Sequence, residues 1–302
     1  MLKYTPNDPK QGAAALWIGS FPQKLGVFAL LMVASLLLFS RGLTSIIHLA
    51  LNDEKYSYLL MVPFVSIGAL VFRRRQIFAG NQTWPFGAIG AAIPCLVTYL
   101  LSLRIAPVDA FWQLSLGTLA VVLFWIATFV GCFGLVSAKA ALFPLSFLIL
   151  FVPIPPPFVS ILELALQRAS AELSYVLMRS SGMPVFRDGL KFLLPGIEVE
   201  VARECSGIRS SIGLTMAALV LGHLFLGSLW KQVGFVGLTI PILIFKNAFR
   251  IALLSWLGVY ISRDVLIGAL HHHGGPLFAL IGLAIQIPLL FALQRLPGRT
   301  VS

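Results

Sequence analysis

Charge is what this chain has least of. Only 11% of its 302 residues are Asp, Glu, Lys or Arg, against roughly 25% in an ordinary soluble domain. A soluble protein of this length needs far more polar side chains to cover its surface. With 58% of residues apolar, intrinsic disorder is excluded as well. Cysteine is scarce: Cys95, Cys132 and Cys205 are all there is, and no disulfide framework is evident. There is no internal repeat, inverted or parallel, and no His-Glu-x-x-His. No signal peptide with a small-residue cleavage site opens the sequence, and the polar segment Met1–Lys24 is expected to lead into an uncleaved first span. What remains is an all-α polytopic membrane protein with the lipid bilayer as its solvent.

A helix needs about 20 mostly apolar residues to cross the hydrocarbon core. Eight stretches qualify: 25–40 (with a possible extension towards Leu51), 56–72, 86–103, 111–130, 135–153, 207–229, 232–259 and 276–293. Pro94, Pro144, Pro241 and Pro288 fall inside spans, where neighbouring helices tolerate them. The net charge of +11 points to a cytoplasmic excess of Lys and Arg rather than to nucleic acid. Arg73, Arg74 and Arg75 directly follow the second span and set that end inside. Alternation then predicts a cell (inner) membrane protein with both termini cytoplasmic, 1–24 as the N-terminal segment and 294–302 as the tail. The threading puts Asp8 alone among the acids on the inner side and the other ten on the outer side. That segregation agrees with the orientation without having been used to build it.

One insertion, 154–204, is long enough to hold structure of its own, and the chain otherwise reads as a single integral membrane domain over 1–302. Val152-Pro-Ile-Pro-Pro-Pro157 reads as a stiff non-helical exit from the membrane. Residues 158–180 follow, where Ile161, Leu164, Ala165, Leu166, Leu173, Val176 and Leu177 are interrupted by Glu163, Gln167, Arg168, Glu172 and Arg179. This pattern predicts a helix lying at the outer interface. The turn pairs Asp188-Gly189 and Pro195-Gly196, with the period-two run Ile197-Glu-Val-Glu-Val201, predict a small β-hairpin or meander.

The β-segment delivers the chain to Arg203-Glu-Cys-Ser-Gly-Ile-Arg-Ser-Ser211, where the sixth span begins. Cys205 therefore stands at or just before a helix N-terminus at the outer membrane surface, with Ser206 as a candidate cap. The helix dipole and nearby arginines favour a thiolate there, while Glu204 opposes it. The alternative is a small residue at a strand-to-helix joint. Cys95 and Cys132, in apolar surroundings, read as packing residues. Arg209, four residues after Cys205, shares its helical face. In Lys246-Asn-Ala-Phe-Arg250, Asn247 and Arg250 share a face in the outer half of the seventh span. An arginine at that depth either faces a partner or a wet cavity, or snorkels to the surface.

The last outer loop ends in Leu270-His271-His272-His273-Gly-Gly-Pro-Leu-Phe278. Imidazole is the usual general base near neutral pH. Three consecutive histidines also suggest metal, but consecutive side chains diverge and no acid or Cys completes a ligand set, so neither a metal nor another cofactor is expected. His48 and His223 read as isolated structural residues. A thiol, a guanidinium and an imidazole thus return to one side of the membrane from three separate spans. That set suits acyl transfer, with a base-assisted thiolate attacking a peptide carbonyl and a cation stabilising the oxyanion.

Glu204-Cys-Ser-Gly-Ile-Arg209, Asn247-Ala-Phe-Arg250 and His271-x-x-x-Gly275-x-x-Phe278, in that order on late spans, resemble the exosortase/archaeosortase family, and the likeness runs over roughly residues 50–295. The resemblance implies a membrane-embedded cysteine transpeptidase or protease. Its substrates are exported proteins ending in a short Pro-Glu-Pro-like motif, a transmembrane helix and a basic tail, cut outside the membrane and passed to an acceptor. By position Cys205 matches the family's nucleophile, Arg250 its arginine and His271 its histidine. His272 and His273 stand beside the imidazole chosen, and Pro276 stands where the family commonly has an aromatic residue. Asn247, Arg209 and Arg203 are candidates for supporting the site or binding substrate, and Arg187, Arg203 and Arg209 for pairing with a substrate glutamate. Two other classes fit the composition: a transporter or channel with an Arg/His-lined pathway, and a non-enzymatic surface-assembly factor.

Overall fold

The structure, a computed structural model, describes residues 20–79, 85–105, 108–201, 207–262 and 275–296, except the side chains of 85–91 and 276. Cys205, Arg203 and the histidines 271–273 lie outside the described residues. The chain divides into two compact units, Met1–Pro155 and Pro156–Ser302.

The first unit is helical throughout: α1 (Phe21–Leu38), α2 (Ser40–Asn52), a 3-10 turn (Glu54–Leu60), α3 (Met61–Phe72), α4 (Arg74–Ile77), α5 (Pro85–Ile105), α6 (Ala110–Ala140), α7 (Leu142–Phe147) and a second 3-10 turn (Leu148–Phe151). Pro85 opens α5, where its missing N–H is no loss. The Asp109 carboxylate caps α6, accepting from Phe111 N at 2.8 Å and Trp112 N at 3.1 Å. Its core is aromatic: Phe78, Phe129 and Phe133 lie within 4.9–6.1 Å of one another, ring centre to ring centre, with Phe21 and Phe28 against them. The helix run from 110 to 140 is broken at Gly134 (φ 78°, ψ 172°), a left-side backbone conformation that only glycine adopts cheaply. The predicted fifth span, 135–153, is therefore not one helix but the end of α6, α7 and a 3-10 turn.

Six helices among the described residues are long and apolar enough to cross a bilayer, or seven if Leu142–Phe151 and Pro156–Ser180 form one broken span. The all-α, multi-pass architecture stands, and the count of eight is not matched among the described residues. Many large apolar side chains face outwards on these helices, including Phe64, Phe72, Leu229 and Trp230. A soluble fold does not tolerate apolar surface on that scale, whereas lipid does.

The proline-rich exit is shorter than expected. Val152–Pro155 is non-helical, with the Pro153 carbonyl accepting from Ser115 Oγ at 2.9 Å and the Ile154 carbonyl from the Tyr56 hydroxyl at 2.9 Å. Pro156 and Pro157, however, open a helix, because the first turn has no intrahelical N–H bonds for proline to forfeit.

The second unit comprises that helix, α8 (Pro156–Ser180), strands β1 (Phe186–Asp188), β2 (Lys191–Leu194) and β3 (Ile197–Glu200), and helices α9 (Ile208–Phe225), α10 (Leu229–Tyr260) and α11 (Gly275–Arg295). The strands form an antiparallel meander in the order β1-β2-β3. It turns at Gly189 (φ 60°) and Gly196 (φ 75°), the two glycines of the predicted turn pairs. Register pairs Arg187 with Phe192 and Phe192 with Val199. On the same sheet Lys191 meets Glu198 at 3.1 Å, and Glu200 opposite it in register. These carboxylates hold the Lys191 ammonium above the usual lysine range. Its contribution to the sheet is thus complete below the ordinary lysine value and disappears only as the pH rises past the raised one.

Phe192 is fully buried among Ala171 and Met178 of α8, Met183, Leu194, Val201 and Ile251 of α10, and so seats the meander on both helices. Phe192→Ala is expected to cost about 3–5 kcal/mol. Limited proteolysis should then cut within 183–201 of the variant at protease levels that leave the wild type intact.

The expected helix 158–180 is present. Ile161, Leu164, Ala165 and Val176 are exposed together with Arg168, Glu172 and Arg179, whereas Glu163, Gln167, Ser170 and Ser174 are buried beside Leu166, Ala171 and Met178. Small, polar and apolar residues share the face that packs against α10.

Candidate functional site

The described part of the site grows from four helices of the second unit. At its centre is α10, 32 residues and roughly 48 Å long at 1.5 Å per residue. Trp230 sits near one end and Trp256 and Tyr260 near the other, all partly in contact with the surroundings, as expected of a helix crossing the core and both interfaces. Lys246, Asn247 and Arg250 lie around and just past its midpoint.

Gly207, the glycine of Cys-Ser-Gly-Ile-Arg, is the N-cap of α9 with φ 69°. A Cβ placed on it would stand 2.8 Å from Asn247 Oδ1 and 3.4 Å from Lys246 Nζ. The first motif is thus in direct contact with the second. Asn247 is 1% exposed and donates from Nδ2 to Ser170 Oγ of α8 at 3.1 Å. Ser174, one turn on, donates to the Ala248 carbonyl at 3.2 Å. Gln167 of α8 donates from Nε2 to the Val201 carbonyl, while Val201 N donates to the Leu190 carbonyl at 2.9 Å. The chain is therefore anchored at Val201 and again at Gly207, on either side of the motif's cysteine in the sequence.

The third motif joins through Phe278. Its buried ring lies under the Arg250 guanidinium, 5.8 Å from Cζ to the ring centre, a cation–π contact. Phe278, Gly282 and Gln286 recur at i, i+4 and i+8 along α11. They meet Arg250, Lys246 and Thr239 of α10 in turn. A Cβ on Gly282 would come 3.6 Å from Lys246 Cδ and 2.6 Å from Leu214 Cδ1. Gln286 Nε2 donates to Thr239 Oγ1 at 3.1 Å and to the Leu214 carbonyl at 3.2 Å. A polar seam thus runs between α10 and α11, with α9 against it.

The meander packs on α10 at Ile251, Ala252 and Val259, and Gly207 meets the same helix at Lys246 and Asn247.

The other sequence-nominated residues fall as follows. Arg250 is half-buried and Arg209 is exposed on the first turn of α9. Arg187 is paired with Glu172 at 2.6 Å and donates from Nε to the Gly189 carbonyl at 2.7 Å. Cys132 packs at the edge of the aromatic core of the first unit.

Sequence reasoning passed over Lys246. It is 1% exposed, and its ammonium donates to Ser210 Oγ, which in turn donates to the Gly207 carbonyl at 3.0 Å. The signal was there: a lysine at mid-span costs at least ~2.5 kcal/mol on insertion scales and needs the same explanation as Arg250. Ser170 and Gln167 were also missed, since a serine in a helix carries no pattern that marks it as a contact.

Fold and site together define a polytopic helical membrane protein whose polar centre is assembled from four late helices. Residues 48–287 match the family model described as Transmembrane exosortase, and the chain belongs to that family. No match emerges from comparison with curated proteins or with solved structures.

Proposed function

We propose that this protein is a membrane-embedded cysteine transpeptidase or protease that cleaves C-terminal sorting signals of exported proteins at the extracytoplasmic face of the cell membrane. The observation that carries the reading is the meeting of the three motifs: Gly207 on Asn247, and Arg250 on Phe278. Residues 207, 250 and 278 are far apart along the chain, and each belongs to a motif with its own ionisable group.

In the proposed reaction His271 takes the proton of the Cys205 thiol, and the sulfur attacks the scissile carbonyl carbon. Arg250 stabilises the oxyanion of the tetrahedral intermediate. The C–N bond breaks as His271 returns the proton to the departing amine, which leaves an acyl thioester on Cys205. Water or an acceptor amine then attacks that thioester, with His271 again removing the proton, and the thiol is regenerated. Asn247 supports the Gly207 turn. Arg209 and Arg203 flank the nucleophile in sequence and suit an acidic group of the substrate. The substrate carries its motif ahead of a transmembrane helix and a basic tail, and so reaches the site laterally through the bilayer.

The test is co-expression with an exported protein of that architecture from the same genome. Wild type should process it and accumulate a substrate-linked, hydroxylamine-labile adduct. Cys205→Ala at equal protein level should give neither. Unaltered processing by Cys205→Ala would end the assignment.

A further inference from the structure

We infer that Lys246 is a positioning residue of this site: a buried cation that tethers the Gly207 turn through Ser210 and, with Arg250, holds a positive field at the N-terminus of α9. The inference deepens the proposed function and rests on Cys205 being the nucleophile.

Three observations carry it. First, the tether is continuous, from Lys246 Nζ to Ser210 Oγ and from Ser210 Oγ to the Gly207 carbonyl at 3.0 Å. Both bonds end within the turn that follows Cys205 by two residues. Second, the lysine is packed against two glycines, at ordinary contact distance from each. A Cβ on Gly207 would stand 3.4 Å from Nζ, and one on Gly282 would stand 3.6 Å from Cδ. The stem runs between α9 and α11 and delivers the ammonium to the turn.

Third, the described residues around the ammonium supply no opposite charge. Among the described residues no ion pair joins Lys246 to an acid. Arg250 is the nearest charge on its own helix, one turn on; Arg209 on α9 is exposed, and α11 presents Gly282. Glu163 is the acid on the buried face of α8, two turns before Ser170. Two like charges four residues apart on one helix disfavour each other. A buried cation is stabilised by an anion within reach; Glu204 and Cys205 both precede Gly207 in the sequence, and the thiol is the one that becomes anionic in the proposed reaction. The positive end of α9 adds to the same field.

The experiment uses the full-length protein in lipid nanodiscs, with Cys95 and Cys132 replaced by Ala so that Cys205 is the remaining thiol. The rate of iodoacetamide alkylation is followed against pH. Lys246→Met is expected to raise the midpoint by about one to three pH units, while Lys246→Arg keeps the charge and stays close to the parent. A methionine variant with unchanged melting and the parent midpoint would overturn the inference. So would an arginine variant shifted as far as the methionine one, which would make the lysine a matter of shape. If the methionine variant does not assemble, Lys246→Gln is held to the same comparison. Alkylation is measured without substrate. A failure here is therefore distinct from processing by Cys205→Ala, which would refute the nucleophile itself.

Discussion

Arg250→Met is expected to abolish detectable processing while leaving a folded protein in the membrane. A group that stabilises an oxyanion supplies roughly 10²–10³ of the rate when it is a single hydrogen-bond donor, and a full positive charge in a water-poor site supplies at least as much. The structural cost is smaller. Arg250 is half-buried, and its described contact is the face of Phe278 at 5.8 Å, an interaction of about 0.5–2 kcal/mol. The expected signature is therefore a loss of rate of at least about 10²-fold with a melting temperature close to the parent. Arg250→Lys should recover little, because an ammonium offers neither the planar fork nor the stacking surface of a guanidinium. Processing by Arg250→Met at more than a tenth of the parent rate would remove the arginine from the reaction.

Gly207→Ala should be nearly as severe for a different reason. The residue has φ 69°, and left-handed backbone costs an L-residue roughly 1–2 kcal/mol. Conformation is the lesser part. The new methyl carbon would lie 2.8 Å from Asn247 Oδ1, closer than packed atoms approach. Asn247 cannot simply withdraw, since its Nδ2 is bonded to Ser170 of α8 at 3.1 Å. The turn must shift, and a misplacement of about 1 Å near a reacting group costs roughly 10²-fold in rate. Gly207→Asn separates the two causes. Asparagine tolerates left-handed backbone but still carries a Cβ, so it is expected to fail as alanine does. Activity in the asparagine variant would show that backbone conformation alone requires the glycine. The readouts are processing of the co-expressed substrate and thermal melting of the purified protein.

Several parts of this architecture were legible in the sequence for plain reasons. The spans announce themselves by uninterrupted hydrophobicity, and the meander by two turn pairs whose glycines have the positive φ those turns require. The three motifs were legible as residue types, and their convergence follows from late helices that pack on one another. Three features were not. The fifth span is divided at Gly134, and a glycine in an apolar run does not disclose whether it packs or breaks the helix. The orientation of α8 could not be read from its polarity, because both of its faces mix polar and apolar side chains: Ile161 and Leu164 face outwards with Arg168 and Glu172, and Ser170 and Ser174 inwards with Leu166 and Ala171. Lys246 was concealed by its neighbour, since Asn247 and Arg250 already accounted for the helical face in view.

Two of the contacts that α8 makes near the motif lie three residues apart on it: Gln167 on the Val201 carbonyl and Ser170 on Asn247. The former fixes where the strand ends, and the latter fixes the asparagine under the following turn. One rigid rod thus sets the gap that the intervening residues must bridge. Sliding it by a single residue, about 1.5 Å, would release both ends together. The helix works as a ruler, and the tolerance of that bridge to insertion or deletion is set by a segment outside it.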